Sequence, residues 1–257
     1  MKQTSAFERS SNSNGVHTMT NRLARLARAR GYPYPYPGRS FTWRRGNVAE
    51  FDLGETKGRT AVLAVGSNRA PSRLDQKYLG KYEAPIPVQH ACLKDFDIVY
   101  AAHLTRYGSV PAMLQRAPGT TVDLAVTWLN DKQLEIMHAT EGGYHYAEIS
   151  AVDLVYDDGT QADSVHLYVG REGHLVHEER PIALTEIDAQ DRPHAARNTA
   201  EVLEIVHTRI APDMPHDDFI LRVIDDTDFR RDCSIMLAED SVPFDYPFEK
   251  KPGGLLD

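Results

Sequence analysis

A short unbroken run, Thr60-Ala61-Val62-Leu63-Ala64-Val65, stops at Gly66-Ser67-Asn68. An uninterrupted apolar run of this length predicts a strand buried on both faces, and the residues after it predict a turn. Pro71 then fits the first position of a helix running through Leu74 and Tyr78 to about Leu79. Residues 86–93 and 96–102 read as strands. Residues 111–116 read as an irregular or helical piece ended by Pro118-Gly119, and 120–129 as a central strand. Asn130 opens a helix, with Gln133 placed to reach back to it, and the helix runs to about Thr140 before Gly142-Gly143 break it. Residues 144–149, 152–156 and 164–169 read as strands, the last two joined by an Asp158-Gly159 turn. Past residue 170 the pattern turns helical, at 198–210 and 216–239, with a Pro212/Pro215 linker between them. No internal repeat at solenoid spacing is present.

The N-terminal part differs in character. Residues 1–20 are rich in Ser and Asn and predict an unstructured start. Residues 21–30, NRLARLARAR, carry Leu23, Leu26 and Ala27 at helical spacing and predict a short docking helix, its apolar face being too small for strong membrane binding. Tyr32-Pro33-Tyr34-Pro35-Tyr36-Pro37 predicts an extended strap, read by a partner or packed along its own domain. The chain carries −8 overall, yet residues 1–60 carry +7 and the rest −15. An acidic body repels phosphates and excludes broad nucleic-acid binding. The basic head fits either an anionic surface or the chain's own acidic body.

Two cysteines among 257 residues give no disulfide framework. No apolar stretch approaches the roughly 20 residues that span a bilayer, and the start lacks the features of a secretory signal. We therefore expect a cytoplasmic location with no membrane partner.

Glu141 is the residue with the most chemical promise. Counted from Leu134, it falls seven residues on, on the same helix face as Leu134, Met137 and His138. Desolvation on that face favours a carboxylate that exchanges a proton near neutral pH, as a general base must. Gly142-Gly143 permit close approach by backbone or ligand. Tyr144 and Tyr146 alternate with His145, so both rings face one side and could wall a pocket. Val65-Gly66-Ser67-Asn68 offers successive backbone N–H groups and short polar side chains, an anion nest suited to a carboxylate. It is not a nucleophile elbow, since Gly-x-Ser-x-Gly is absent.

This order of features resembles the γ-glutamylcyclotransferase superfamily: an apolar strand with Gly-Ser-Asn, Gly119 before a strand, a helix ending in Glu-Gly, then an aromatic strand. The resemblance spans about 110 residues. It rests on Val65-Gly66-Ser67-Asn68 and on Thr140-Glu141-Gly142-Gly143-Tyr144, with either Tyr144 or Tyr146 matching the family tyrosine. Val65 departs from the tyrosine common there, and Tyr107-Gly108-Ser109-Val110 imitates the loop without its Asn. The resemblance implies an α+β fold, a mixed, mostly antiparallel sheet or small barrel with flanking helices. On that reading 1–58 is a basic arm, 59–184 the central domain and 185–257 a helical extension packed on it. It also implies a cofactor-free reaction on a small γ-glutamyl substrate. Val65, Gly66, Ser67 and Asn68 would bind the α-carboxylate. Glu141 would shuttle the proton from the α-amine, which closes on the γ-carbonyl to give 5-oxoproline and release an amine. The alternative is a non-catalytic relative that binds a small carboxylate or serves as an interaction domain. The oligomeric state stays open.

Other groups point to bland roles. His138 with Glu141, and His174 with His177, are poorly spaced for a shared metal, so we expect none. Asp225, Asp226 and Asp228 lack the glycine of a calcium loop and read as a solvated helix face.

Overall fold

The computed structural model describes residues 7–253, with side chains from residue 19 onward. The chain runs through α1 (Phe7–Arg30), β1 (Phe41–Arg44), β2 (Asn47–Ala49), β3 (Thr60–Ala64), α2 (Pro71–Tyr78), β4 (Ile86–Tyr100) and β5 (Ala112–Leu129). It continues through α3 (Asp131–His138), β6 (Tyr144–Tyr156) and β7 (Gln161–Gly170). After several two-residue strands come α4 (Thr199–Ile210), α5 (His216–Asp225) and α6 (Thr227–Ala238).

Five strands close into a barrel: β4 pairs with β5 and β6, β6 with β7, β7 with β3, and β3 with β5. The β3–β7 contact is parallel and the other four are antiparallel, so the fold is α+β. Strand β3 shows why its sequence is unbroken. Leu63 and Val65 join one apolar cluster with Leu93, Val122 and Leu124. Val62 and Ala64 join a second, with Trp43, Leu74, Tyr78 and Met137 beneath α2 and α3. Val62, Leu63 and Ala64 are buried, so both faces of this stretch exclude a polar residue without a partner.

Local signals place the two helices that flank the site. Pro71 starts α2 at its first turn. Asn130 Oδ1 accepts from the Gln133 N–H at 3.0 Å, while Gln133 Oε1 accepts from the Asn130 N–H at 3.1 Å, a complete capping box for α3. Helix α3 ends at His138, short of the expected Thr140. Thr140 and Glu141 N–H then donate to the Met137 and His138 carbonyls at 2.9 and 3.1 Å, a tightened final turn.

Several expected breaks are bulges instead. The strands expected at 86–93 and 96–102 are the single strand β4, whose register shifts between Lys94 and Phe96 around Asp95 at φ 65. The piece at 111–116 and the strand at 120–129 are likewise one strand, β5. Gly119, at φ 87, donates its N–H to Asp95 Oδ1 at 2.7 Å, so Pro118-Gly119 bends the ribbon without ending it. Residues 144–149 and 152–156 form one strand, β6, interrupted only by a register shift around Ala151 at φ 58. The helix expected over 216–239 is two helices. Asp226 leaves helical dihedrals and caps α6, its Oδ1 accepting from the Phe229 N–H at 3.0 Å. Asp226 is thus a cap rather than part of a solvated face.

The N-terminal part also differs from expectation. Helix α1 begins at Phe7, where an unstructured start was expected through residue 20; residues 1–6 lie outside the described residues. Its arginines meet the acidic helix α5. Arg22 lies 2.9 Å from Asp218, Arg30 lies 2.6 Å from Asp217, and Arg25 pairs with Asp225. Of the two readings of the basic head, docking on the chain's own acidic body describes this contact. The sheet itself starts before residue 59, since β1 pairs with both β2 and β4. One apolar cluster joins Leu26 and Ala29 of α1, the barrel interior, and Val202, Phe219 and Leu237 of α4, α5 and α6. Among the described residues no helix is long and apolar enough to cross a membrane.

Candidate active site

Strands β3, β4 and β7 finish, and β5 and β6 begin, at one end of the barrel. A cavity of about 660 Å³ opens there. Leu63 and Val65, Leu104, Ala112, Tyr144 and Tyr168 line it from those strand ends and their loops. Helix α6 supplies the opposite wall through Ser234, Ile235 and Ala238. The Ser234 hydroxyl accepts from the Leu104 N–H at 3.1 Å and ties that wall to the barrel.

The sequence-predicted residues mostly meet here. Val65, Gly66, Ser67, Asn68, Glu141 and Tyr144 all line the cavity. Asn68 Nδ2 donates to Glu141 Oε1 at 3.3 Å, joining the loop to the carboxylate directly. Tyr146 does not line it. Two residues along β6 carry its side chain about 7 Å deeper, where it is 5% exposed and packs against the rings of His138, His166 and Tyr168. Tyr144 is therefore the cavity tyrosine of the two. Its hydroxyl donates to the Ala112 carbonyl at 3.2 Å, and burial raises its pKa well above 10.

Glu141 has a partner that the sequence did not announce. The Lys77 ammonium lies 2.5 Å from Oε1 and also donates to Met137 Sδ at 2.8 Å. The Thr140 hydroxyl donates to the Met137 carbonyl at 2.9 Å and lies 3.4 Å from the same Oε1. The expected desolvation of Glu141 is thus opposed by a buried counter-charge. Lys77 and Asn68 both donate to Oε1, and no described hydrogen bond engages Oε2. Burial brings the Lys77 pKa down to about 8 against the opposing pull of Glu141.

Four further residues shape the cavity. Tyr32, from the Tyr/Pro strap, is 3% exposed and points its hydroxyl at the loop. Its oxygen accepts from the Ala112 N–H at 2.8 Å. A Cβ at Gly66 would stand 2.1 Å from that oxygen, so glycine there is a condition for the Tyr32 position. His103 packs edge-on against Tyr144, and burial lowers its pKa to about 4, so it is neutral near pH 7. A Cβ at Gly143 would lie 3.1 Å from its Nε2, the close approach that the Gly-Gly pair permits. Tyr107 lines the cavity from the imitation loop, with its pKa raised to about 12 chiefly by burial. Arg73, 6% exposed, lines it from α2. A signal for the cations was available: Arg73 and Lys77 are four residues apart, on the α2 side that also carries Leu74 and Tyr78. Nothing in the local sequence linked Tyr32 to a loop more than 30 residues away.

Among the described residues no group of three His, Cys, Asp or Glu side chains is placed to hold a metal ion.

No family model and no curated protein matches this chain. Among solved structures, the chain is similar to one described as a gamma-glutamyl cyclotransferase. That match has 15% identity and a TM-score of 0.34, over 75% of this chain and 94% of the other. It is also similar to an uncharacterized protein from Homo sapiens, at 13% identity and a TM-score of 0.35, over 76% and 95% of the two chains. At these values the likeness carries nothing about the activity of this chain.

Proposed function

We propose that the cavity binds a γ-glutamyl amine or peptide and cyclises it to 5-oxoproline, with Glu141 as the general acid and base. The observation that carries this reading is the meeting of Glu141 and the Val65–Asn68 loop in one cavity, with Asn68 bonded to the carboxylate.

The chemistry follows from what that arrangement can do. The α-ammonium first gives one proton to solvent, and Glu141 Oε2 takes a second from the amine nitrogen as it bonds to the γ-carbonyl carbon of the same molecule. The tetrahedral oxyanion collapses, the C–N bond to the leaving group breaks, and Glu141 returns a proton to the departing amine. Nucleophile and electrophile belong to one molecule, so holding it folded supplies much of the acceleration. Lys77 fixes Oε1 and leaves Oε2 for the proton. Tyr144, Tyr168 and Leu63 give an apolar wall that limits water around the charges.

The test is release of 5-oxoproline from a panel of γ-glutamyl amines and peptides, followed by mass spectrometry. Glu141→Gln should abolish turnover while leaving substrate binding measurable. Full turnover by that variant would refute the mechanism. A second reading, binding without turnover, is favoured by the Lys77–Glu141 contact, which ties up the carboxylate. It would appear as saturable binding with no 5-oxoproline from the wild type.

A further inference from the structure

Arg73 is a cation without an acid. Its side chain lines the Glu141 cavity, its residue is 6% exposed, and none of the described ion pairs includes it. Its Nη1 donates to Gln76 Oε1 at 3.1 Å, and its guanidinium lies 5.4 Å from the Tyr107 ring centroid. Its Nε is buried and has no hydrogen-bond partner. A desolvated guanidinium with an idle N–H is costly unless an anion completes it. Its charge acts on Tyr107 and Tyr144 across the cavity and on Lys77 beside it. Its side chain thus lines the same cavity as Glu141.

The loop expected to hold a carboxylate is meanwhile partly covered. The Tyr32 oxygen stands over Gly66, leaving less of the nest for a ligand. Arg73 and Lys77 are about one turn apart on α2, about 6 Å along the helix. Lys77 holds Glu141. The Glu141 carboxylate and the Arg73 side chain thus face one cavity from neighbouring turns of structure.

We propose that Arg73 is the anchor for the α-carboxylate of the γ-glutamyl group, with the α-amine on Glu141 and the Gly66–Ser67 amides in a lesser role. This rests on the reading of the cavity as a γ-glutamyl site. The idle Nε–H and a terminal N–H form the fork that a carboxylate accepts side-on. Together Glu141 and Arg73 select the free α-amino acid at the glutamyl end. A compound lacking either the amine or the carboxylate loses one of the two anchors.

The test uses the full chain and two ligands that differ only in the α-carboxylate: γ-glutamyl methylamide and 4-aminobutyryl methylamide. Dissociation constants come from ligand-observed NMR titration. The wild type should prefer the first at least tenfold. Arg73→Met should abolish the preference, with an unfolding midpoint near that of the wild type, and Arg73→Lys should restore part of it. Undiminished preference in Arg73→Met would overturn the role of Arg73. Binding of neither ligand by the wild type would overturn this anchor and the γ-glutamyl reading together. Preference lost in Arg73→Met, with no 5-oxoproline from the wild type, would uphold the anchor and refute the catalysis.

Discussion

Lys77 Nζ lies 2.5 Å from Glu141 Oε1, with 1% of the lysine side chain and 12% of the glutamate side chain exposed. Removing one member of such a pair strands the other in a poorly hydrated place, at a cost of about 3–5 kcal/mol. Lys77→Met keeps the stem and removes the charge. Burial already opposes the charge on Lys77, so relieved desolvation offsets part of the lost attraction, and we expect the urea unfolding free energy to fall by less than that amount. Glu141→Gln in the same background should recover a large part, because no carboxylate is then left unpaired. Additive losses in the two single variants and the double would show that the contact is energetically idle.

The same lysine sets a pH dependence. Burial lowers its pKa from 10.5 to about 8 in the folded chain. Between about pH 8 and 10.5 the unfolded chain therefore holds a proton that the folded chain has released, and the contribution of Lys77 to stability rises with pH. The gap in unfolding free energy between the wild type and Lys77→Met should shift in favour of the wild type across that window and stay level from pH 6 to 7. His103 works on the acid side. Its pKa falls from 6.5 to about 4 through burial. Its contribution is complete above pH 6.5 and is lost as the pH falls toward 4, where the unfolded chain takes up the proton first. His103→Gln should flatten that part of the stability curve, and an unchanged acid limb would contradict the burial of His103.

The carboxylate at the end of α3 and the Gly-Ser-Asn turn after β3 were legible because each is a local pattern. One is a helix face counted from Leu134, and the other is an apolar run stopped by small polar residues. The capping box at Asn130 and Gln133 was legible for the same reason. What escaped was everything decided by tertiary pairing. Pro118-Gly119 looks like a strand breaker, yet Asp95 accepts from the Gly119 N–H and the ribbon continues. Asp226 looks like one more solvated acid until the break between α5 and α6 makes it a cap. Tyr144 and Tyr146 share a strand face, but one meets the cavity and the other the packing beneath α3, a difference of depth that alternation does not encode. Lys77 and Tyr32 come from segments whose own sequences say nothing about Glu141 or Gly66.

Attachment of α1 separates charge from packing. The Arg22, Arg25 and Arg30 pairs with α5 leave at least one partner more than two-fifths exposed in each case, where a single pair contributes about 0–1 kcal/mol. Leu26 is 2% exposed within the core cluster, and truncating such a leucine costs about 2–5 kcal/mol. Leu26→Ala should therefore destabilise the chain several-fold more than Arg25→Ala in urea unfolding. Raising the salt to 0.5 M should weaken the arginine effect further and leave the leucine effect in place. A larger loss from Arg25→Ala would mean that charge, rather than burial, holds the helix.

Gly66 and Tyr32 form a steric pair across the strap and the loop. An alanine methyl at 66 would stand 2.1 Å from the Tyr32 hydroxyl, 3.2 Å from its Cζ and 3.1 Å from the Ala112 Cβ. The ring cannot yield easily, because its oxygen is held by the Ala112 N–H and the residue is 3% exposed. Gly66→Ala should therefore lose about 1–3 kcal/mol by overpacking. Tyr32→Phe alone should lose a comparable amount, since the buried Ala112 N–H is left without an acceptor. Made together, the two changes should cost less than their sum. The missing hydroxyl removes the closest clash, while the contacts to Cζ and to Ala112 keep the double variant below the wild type. Glu141 shares the cavity with both residues, so the same set should be read in turnover as well. If Tyr32 only fills space, Tyr32→Phe will keep kcat and KM on γ-glutamyl substrates. If its oxygen helps order the Ser67 amide beside the substrate, KM will rise severalfold at nearly constant kcat.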